Sequence, residues 1–520
     1  MVHHGGVLHA RRVWTGDGRQ GESIWWSEGV IRGVGTRLQV ERAAPSPLPR
    51  RVLEGALVTP GIVDGHTHFG MWALNRKRVH LAGCRTRQEA VTRVAAGVAE
   101  GGWVMGQGWD ANGWKERPER GVLDVVQTGP VFLESLDVHA AWVNSAALKK
   151  AGITRATPDP YGGVIVRDGS GEPTGLLLER AVELILPHLP HTSQTRLTHA
   201  IRDAQTLAHQ FGVTGIHDVE GLDALEAFET LQHEGALKLR VLFHPPVAEL
   251  PRLIERGWRS GEGGPWITKG GVKLFLDGSL GSRTAWMLQP FEGTSDRGMP
   301  ITSLDVARQA IQMAGGAGIA STVHAIGDAA VRRALDLLEQ APKVGLPHRI
   351  EHFQCVHPDD LRRAGQAGIG VSMQPAHLLT DIPLIDRHWG VRGFGAYHFK
   401  TIAEAGNTIV FGSDVPVASL DPRDGIRAAL DRDSADGSAR MWRRNERITL
   451  GHALSAYTRA PAWAGGVAKR RGTLAPGMDA DLVAWEIDAV AENGGEGAGA
   501  HFAAGKCVLT VVGGEIVHPG

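Results

Sequence analysis

The sequence predicts an α/β protein built on a (β/α)8 TIM-type barrel, with a small β-sandwich formed from both chain termini and an insertion between barrel strands 1 and 2. Three observations support this. From about residue 62, short apolar runs are each followed by an amphipathic stretch, the pattern of parallel strands covered by helices. Both ends of the chain alternate polar and apolar residues over short spans broken by turn formers. Between the first and second apolar runs lie roughly 140 residues, far more than a connecting loop needs.

At the N-terminal end, Val7 to Trp14, Ser23 to Val34 and Arg51 to Val58 read as strands separated by Gly-, Asp- and Pro-rich turns. The same signature returns at Asp481 to Trp485 and Cys507 to Val517, after the turn Ala475-Pro476-Gly477. Residues 1–58 and 466–520 are therefore expected to form one composite domain, with a barrel domain of residues 59–465 between them. The low-complexity stretch Glu492 to Gly499 is expected as a mobile loop.

The barrel strands are expected to end, in order, near His68, Asp218, His244, Asp277, His324, His352, Met373 and Asp414. Eight is the number a closed barrel needs. After the fifth, Asp328 is placed to cap a helix whose Val331, Leu335 and Leu338 share one apolar face. The long insertion, at about 80–200, holds the apolar run Val131 to Leu133, the segment Asp137 to Trp142, and Pro/Gly turns at Pro158 to Gly163. It is expected to form a substructure over the active face.

Composition excludes several classes. The formal net charge of −1 offers no field to attract nucleic acid or an anionic membrane. No run approaches the length of a membrane span, and Met1 to Trp14 has no signal-peptide core. Three widely spaced cysteines, Cys84, Cys355 and Cys507, fit neither a disulfide framework nor a zinc ribbon, so a cytoplasmic setting is expected.

The chemistry sits at strand ends. His66 and His68 are two apart in an extended segment, so both side chains can face one cation. Lys273 lies inside the apolar run Val272 to Leu276, where an ammonium is costly without a partner. It is either a snorkelling or paired lysine, or a desolvated amine able to take up carbon dioxide as a carbamate that bridges two cations. His324 and His352 each end a β-branched run and read individually as core histidines or ligands; Asp414 reads as a ligand or a helix cap. Taken in order, His-x-His, Lys, His, His and Asp form a ligand set for two borderline cations such as zinc or manganese.

At this point the chain resembles the amidohydrolase superfamily in its binuclear, lysine-bridged subtype, and within it the amidohydrolase 3 branch that includes N-substituted formamide deformylases. The supporting segments are Val58-Thr59-Pro60-Gly61, Gly212 to Asp218, Asp277 to Arg283, Ser372-Met373-Gln374-Pro375 and Gly477 to Val483. The resemblance spans nearly the whole chain and agrees with the terminal sandwich. It implies that His66, His68 and Asp414 hold the more buried metal, and His324 and His352 the more exposed one, with carboxylated Lys273 between them. It also implies hydrolysis of a carbon–nitrogen bond, a non-peptide amide of a small molecule, by a metal-bridging hydroxide, with Asp414 as general base and acid.

Residues expected to contact substrate are Arg283, Gln374, His377 and His217 from the barrel loops, and His139, Trp109, Asp110 and Glu179 from the insertion, with Asp110 and Glu179 reading equally as residues that only stitch the insertion to the barrel. Alternatives are a deaminase releasing ammonia, a cyclic imide or ureide hydrolase, and a scaffold that has lost its metals. The ligand set, complete at all six positions, stands against the last. A homodimer is consistent with a barrel of this family.

Overall fold

A computed structural model of the chain describes residues 4–435, 437, 439, 442–493 and 495–520. Eight parallel strands recur at the expected places: β1 (Ile62–Thr67), β2 (Val213–Asp218), β3 (Arg240–Phe243), β4 (Val272–Phe275), β5 (Ser321–Ala325), β6 (Arg349–His352), β7 (Gly370–Met373) and β8 (Ile409–Phe411). They form two arcs. β1, β2 and β3 pair in parallel with an additional strand, Ile267–Lys269, while β4 to β8 make a five-stranded parallel sheet.

Single bridges join the arcs, Thr67 with Val415 at one seam and Pro246 with Lys273 at the other. The second seam is short for a local reason. Ile267–Lys269 takes the edge of β3, and Pro245 and Pro246 have no N–H to extend the ladder. At the first seam the Asp414 amide donates to His66 O at 2.7 Å, and the His68 amide to Val415 O at 2.9 Å.

The helix after β5, Asp328–Leu338, buries Val331, Leu335 and Leu338 as their spacing predicts. Its N-cap, however, is Gly327. Asp328 is the first helical residue and accepts from the Leu288 amide instead, because the loop after β4 lies over the helix start.

The chain termini do meet, in a seven-stranded sheet. Its order is Glu515–His518, Lys506–Val512, Leu482–Glu486, Arg50–Pro60, Gly6–Trp14, Gln20–Ser27 and Val30–Gly35. The strands of the expected β-sandwich are hydrogen-bonded in one continuous order. Register shifts on both flanks of Gly6–Trp14 let it coil, and the Trp26 indole donates to Gly514 O at 3.0 Å across the fold. One apolar cluster, with Leu8, Ile24, Val58, Leu482 and Leu509, fills its interior.

The stretch expected as a mobile loop, Glu492 to Gly499, overlaps helices at both its ends, Ala489–Asn493 and Ala498–Ala503, with residue 494 outside the described residues. Glu492 anchors it by pairing with Arg11 and, at 2.9 Å, with Arg12.

The insertion forms its own six-stranded sheet, Val79–His80, Val104–Trp109, Val131–Ser135, Ala140–Val143, Pro173–Glu179 and Gly163–Arg167 in that order, with an apolar cluster on each face. Among the described residues no helix is long and apolar enough to cross a membrane.

Candidate metal centre

The centre begins with two glycines. A Cβ on Gly65 would lie 2.3 Å from Val410 Cγ1 and 2.8 Å from Phe411 O, and one on Gly412 only 2.4 Å from the His66 nitrogen. Their bare backbones let β1 and β8 approach closely, which brings Asp414 to the His pair. Buried Asp64 ties the same seam by accepting from the amides of Ser413 (2.9 Å) and His66 (3.1 Å), and burial raises its pKa to about 7.

Asp414 Oδ1 stands 3.2 Å from His68 Nε2 and 3.4 Å from His66 Nε2. Lys273 Nζ is also 3.4 Å from His66 Nε2. The His352 ring lies 5.2 Å from that of His66 and 4.4 Å from that of His324, measured between centroids. Among the described residues, the ligand atoms of His66, His352 and Asp414 fall within 4.8 Å of one another. All six residues expected as ligands are therefore brought together.

The donor set fits a borderline divalent cation. Nδ1 of both His324 and His352 is buried without a hydrogen-bond partner, a costly state that a cation relieves. His324 is oriented by its other nitrogen, 3.1 Å from Gly278 O, and His68 by Nδ1, 2.7 Å from Val219 O. Burial pushes the Lys273 amine down to about 8. Burial opposes charge on Asp414 as well, but the surrounding imidazoles of His66, His68 and His352 outweigh it and hold the carboxyl well below its usual range.

The expected substrate contacts divide. His139 reaches from the insertion to the centre, its ring 5.2 Å from that of His324. Its Nδ1 is 2.8 Å from Glu179. Burial disfavours the imidazolium, yet Glu179 and Asp137 overcome this and raise its pKa to about 9. Glu179 thereby holds His139 and also accepts from Thr284. Asp137 binds Ser279 (2.6 Å) and Ser282 (2.7 Å) of the loop after β4. His377 stacks 6.4 Å from His352 and lies 3.9 Å from Asp414 Oδ2.

The other five residues stand in different surroundings. Trp109 packs against Trp114 and Trp142 in the core of the insertion and donates to Leu133 O, so its indole is spent on packing. His217 is turned inward, its Nδ1 2.6 Å from Arg349, because β2 points it into the barrel rather than toward the mouth. Gln374 is buried and its amide donates to Ser372. Asp110 accepts from Asn112, which in turn bonds Gly281 O, stitching the insertion to the barrel loop. Arg283 is exposed at φ 57° in the loop after β4.

Two buried charges next to the centre escaped the sequence reading. Glu351 Oε2 is 2.5 Å from His66 Nδ1, and its Oε1 is 2.9 Å from Arg349 Nε. Arg349 also donates to Gly65 O at 2.8 Å. The signal was present as Arg349-Ile350-Glu351-His352: two charges within one buried strand require partners.

Comparison with known proteins gives concordant results. The pattern that describes the amidohydrolase family matches residues 53–518. YtcJ of Bacillus subtilis (strain 168), which bears an amidohydrolase name, is 32% identical over 506 residues, 92% of this chain and 93% of that one. N-substituted formamide deformylase of Arthrobacter pascens is 27% identical over 503 residues, 90% of each chain. The crystal structure of an uncharacterized metal-dependent hydrolase from Pyrococcus furiosus superposes with a TM-score of 0.74 at 28% identity, covering 93% of this chain and 99% of that one.

Proposed function

The chain belongs to the amidohydrolase family and is a metal-dependent hydrolase of carbon–nitrogen bonds other than peptide bonds; on that premise we propose that it cleaves a non-peptide amide of a small molecule at a binuclear centre. His66, His68 and Asp414 would hold one cation, His324 and His352 the other, and Lys273 as a carbamate would lie between them. Zinc is the favoured ion and manganese the second choice, given imidazole and carboxylate donors. The observation that carries this reading is the convergence of the six residues with two buried imidazole nitrogens left unpartnered.

Two divalent cations bound there would supply an acidified water and a polarised carbonyl oxygen. Asp414 accepts the proton released by the attacking water and returns it to the leaving amine nitrogen. His139, held by Glu179, donates to the carbonyl oxygen as negative charge gathers on it. The two arcs of strands, bridged at both seams, support a closed (β/α)8 barrel with this chemistry at the C-terminal ends of its strands. The three cysteines, all free thiols, favour a reducing, cytoplasmic setting.

The first test is elemental analysis of protein purified without chelator or added metal. Close to two zinc or manganese per chain is expected, and a metal-free protein that takes up none in bicarbonate overturns the centre. N-formyl and N-acyl amines are then screened for release of primary amine. Release of ammonia from an aminated ring in their place would move the reading to a deaminase.

A further inference from the structure

We propose that Glu351, gripped by Arg349, is a positioning residue for His66, taking up the Nδ1 proton so that Nε2 is the atom presented to a cation. This rests on the metal centre proposed above and adds an assignment for two residues outside its ligand set.

The geometry is closely specified. Glu351 Oε2 accepts from His66 Nδ1 at 2.5 Å and from Arg349 Nη2 at 3.2 Å, while Oε1 faces Arg349 Nε at 2.9 Å as an ion pair without hydrogen-bond alignment. A deprotonated carboxylate only accepts, so His66 must donate from Nδ1. Its Nε2 then carries the lone pair, and that atom faces Lys273 Nζ at 3.4 Å and Asp414 Oδ1 at 3.4 Å, where the other ligands converge.

Arg349 makes the arrangement rigid. Its guanidinium spans Glu351, the Gly65 carbonyl at 2.8 Å one residue before His66, and His217 Nδ1 at 2.6 Å. It therefore fixes the carboxylate relative to the backbone that bears His66. Glu351, Arg349 and His66 are 0%, 2% and 0% exposed, so water cannot substitute for any of these bonds. Carboxylate partners of this kind orient ligand imidazoles and are worth roughly 10–100-fold in metal affinity.

The experiment titrates zinc into chelator-stripped wild-type protein and Glu351→Gln, in competition with a chromophoric chelator. A glutamine keeps one acceptor oxygen but turns an NH2 group against either the His66 Nδ1 proton or the Arg349 Nε proton, and it carries no charge to hold the guanidinium. The expected result is two sites in the wild type, with one weakened about 10–100-fold in the variant and the other unchanged. Equal binding curves overturn the assignment while leaving the metal centre standing. A wild type that binds no zinc overturns the centre itself and this assignment with it. Because Glu351→Gln leaves Arg349 unpaired and can fail to fold, a second measurement uses the wild type alone. Nitrogen-15 spectra of histidine-labelled metal-free protein, with His66 assigned by loss of its signals in His66→Asn, are expected to show Nδ1 protonated and Nε2 bare. Any other protonation pattern at His66 overturns the proposal.

Discussion

Lys273 and Asp414 meet the same burial with opposite outcomes. The lysine is 2% exposed, its amine lowered to about 8, and its nearest hydrogen-bonding neighbour is an imidazole nitrogen. Lys273→Ala is expected to lose most bound metal, measured by elemental analysis. Added short carboxylic acids should restore part of it if a carbamate normally bridges the ions; a variant that keeps full metal content contradicts the bridge. Asp414 is kept ionised by the imidazoles around it. Asp414→Asn should retain the fold and much of the metal while kcat falls by about 10²–10⁴-fold, the size of a lost general base. Unchanged turnover in that variant removes Asp414 from the mechanism.

At the scale of elements, the seam between β1 and β8 is the tightest constraint. The Cβ of Gly412→Ala would meet the His66 backbone nitrogen at 2.4 Å, an atom that cannot rotate away. Overpacking of this kind costs about 1–3 kcal/mol. A lowered melting temperature accompanied by weaker metal binding is expected, since the clash falls on the ligand-bearing strand; an unchanged melting temperature argues against the close approach.

The helix Gln194–Gln210 supplies a pH-dependent contact. Its His209 is buried against the terminal sheet, with Nε2 3.1 Å from Lys238 O, and burial lowers its pKa to about 4 from 6.5. Between those values the unfolded chain binds a proton that the folded chain refuses. Stability is therefore lost as pH falls from about 6.5 toward 4, by up to about 3 kcal/mol. Urea midpoints at pH 7 and pH 5 should differ less in His209→Gln than in the wild type. An identical difference in both proteins assigns the pH dependence elsewhere.

Across the whole molecule, Arg240 joins the barrel to the terminal sheet. From β3 it forks onto Asp481 at 3.1 and 3.0 Å, and it stacks 4.1 Å over Trp266. Asp481 also accepts from the Gly513 amide at 2.6 Å. Arg240→Ala would leave a buried carboxylate with reduced compensation, at a cost of about 3–5 kcal/mol in unfolding experiments. Arg240→Lys should recover only part of this, because an ammonium cannot fork. A loss below about 1 kcal/mol for the alanine variant would mean the two units are held chiefly by apolar contact.

The sequence alone determined where the eight strands lie and that the two chain ends pair, and it singled out the six residues proposed to carry metal chemistry. These features are written locally: apolar runs bounded by turn formers, and polar residues placed where such runs stop. What the tertiary structure decided is direction and partnership. His217 faces Arg349 rather than substrate, Trp109 fills a core, the terminal strands form one coiled sheet, and Ile267–Lys269 adds an edge strand beside β3. Glu351 finds His66 across 285 residues. Which way a side chain turns, and which distant group meets it, depends on strand register and on how closely backbones approach, and these are settled only when the chain packs.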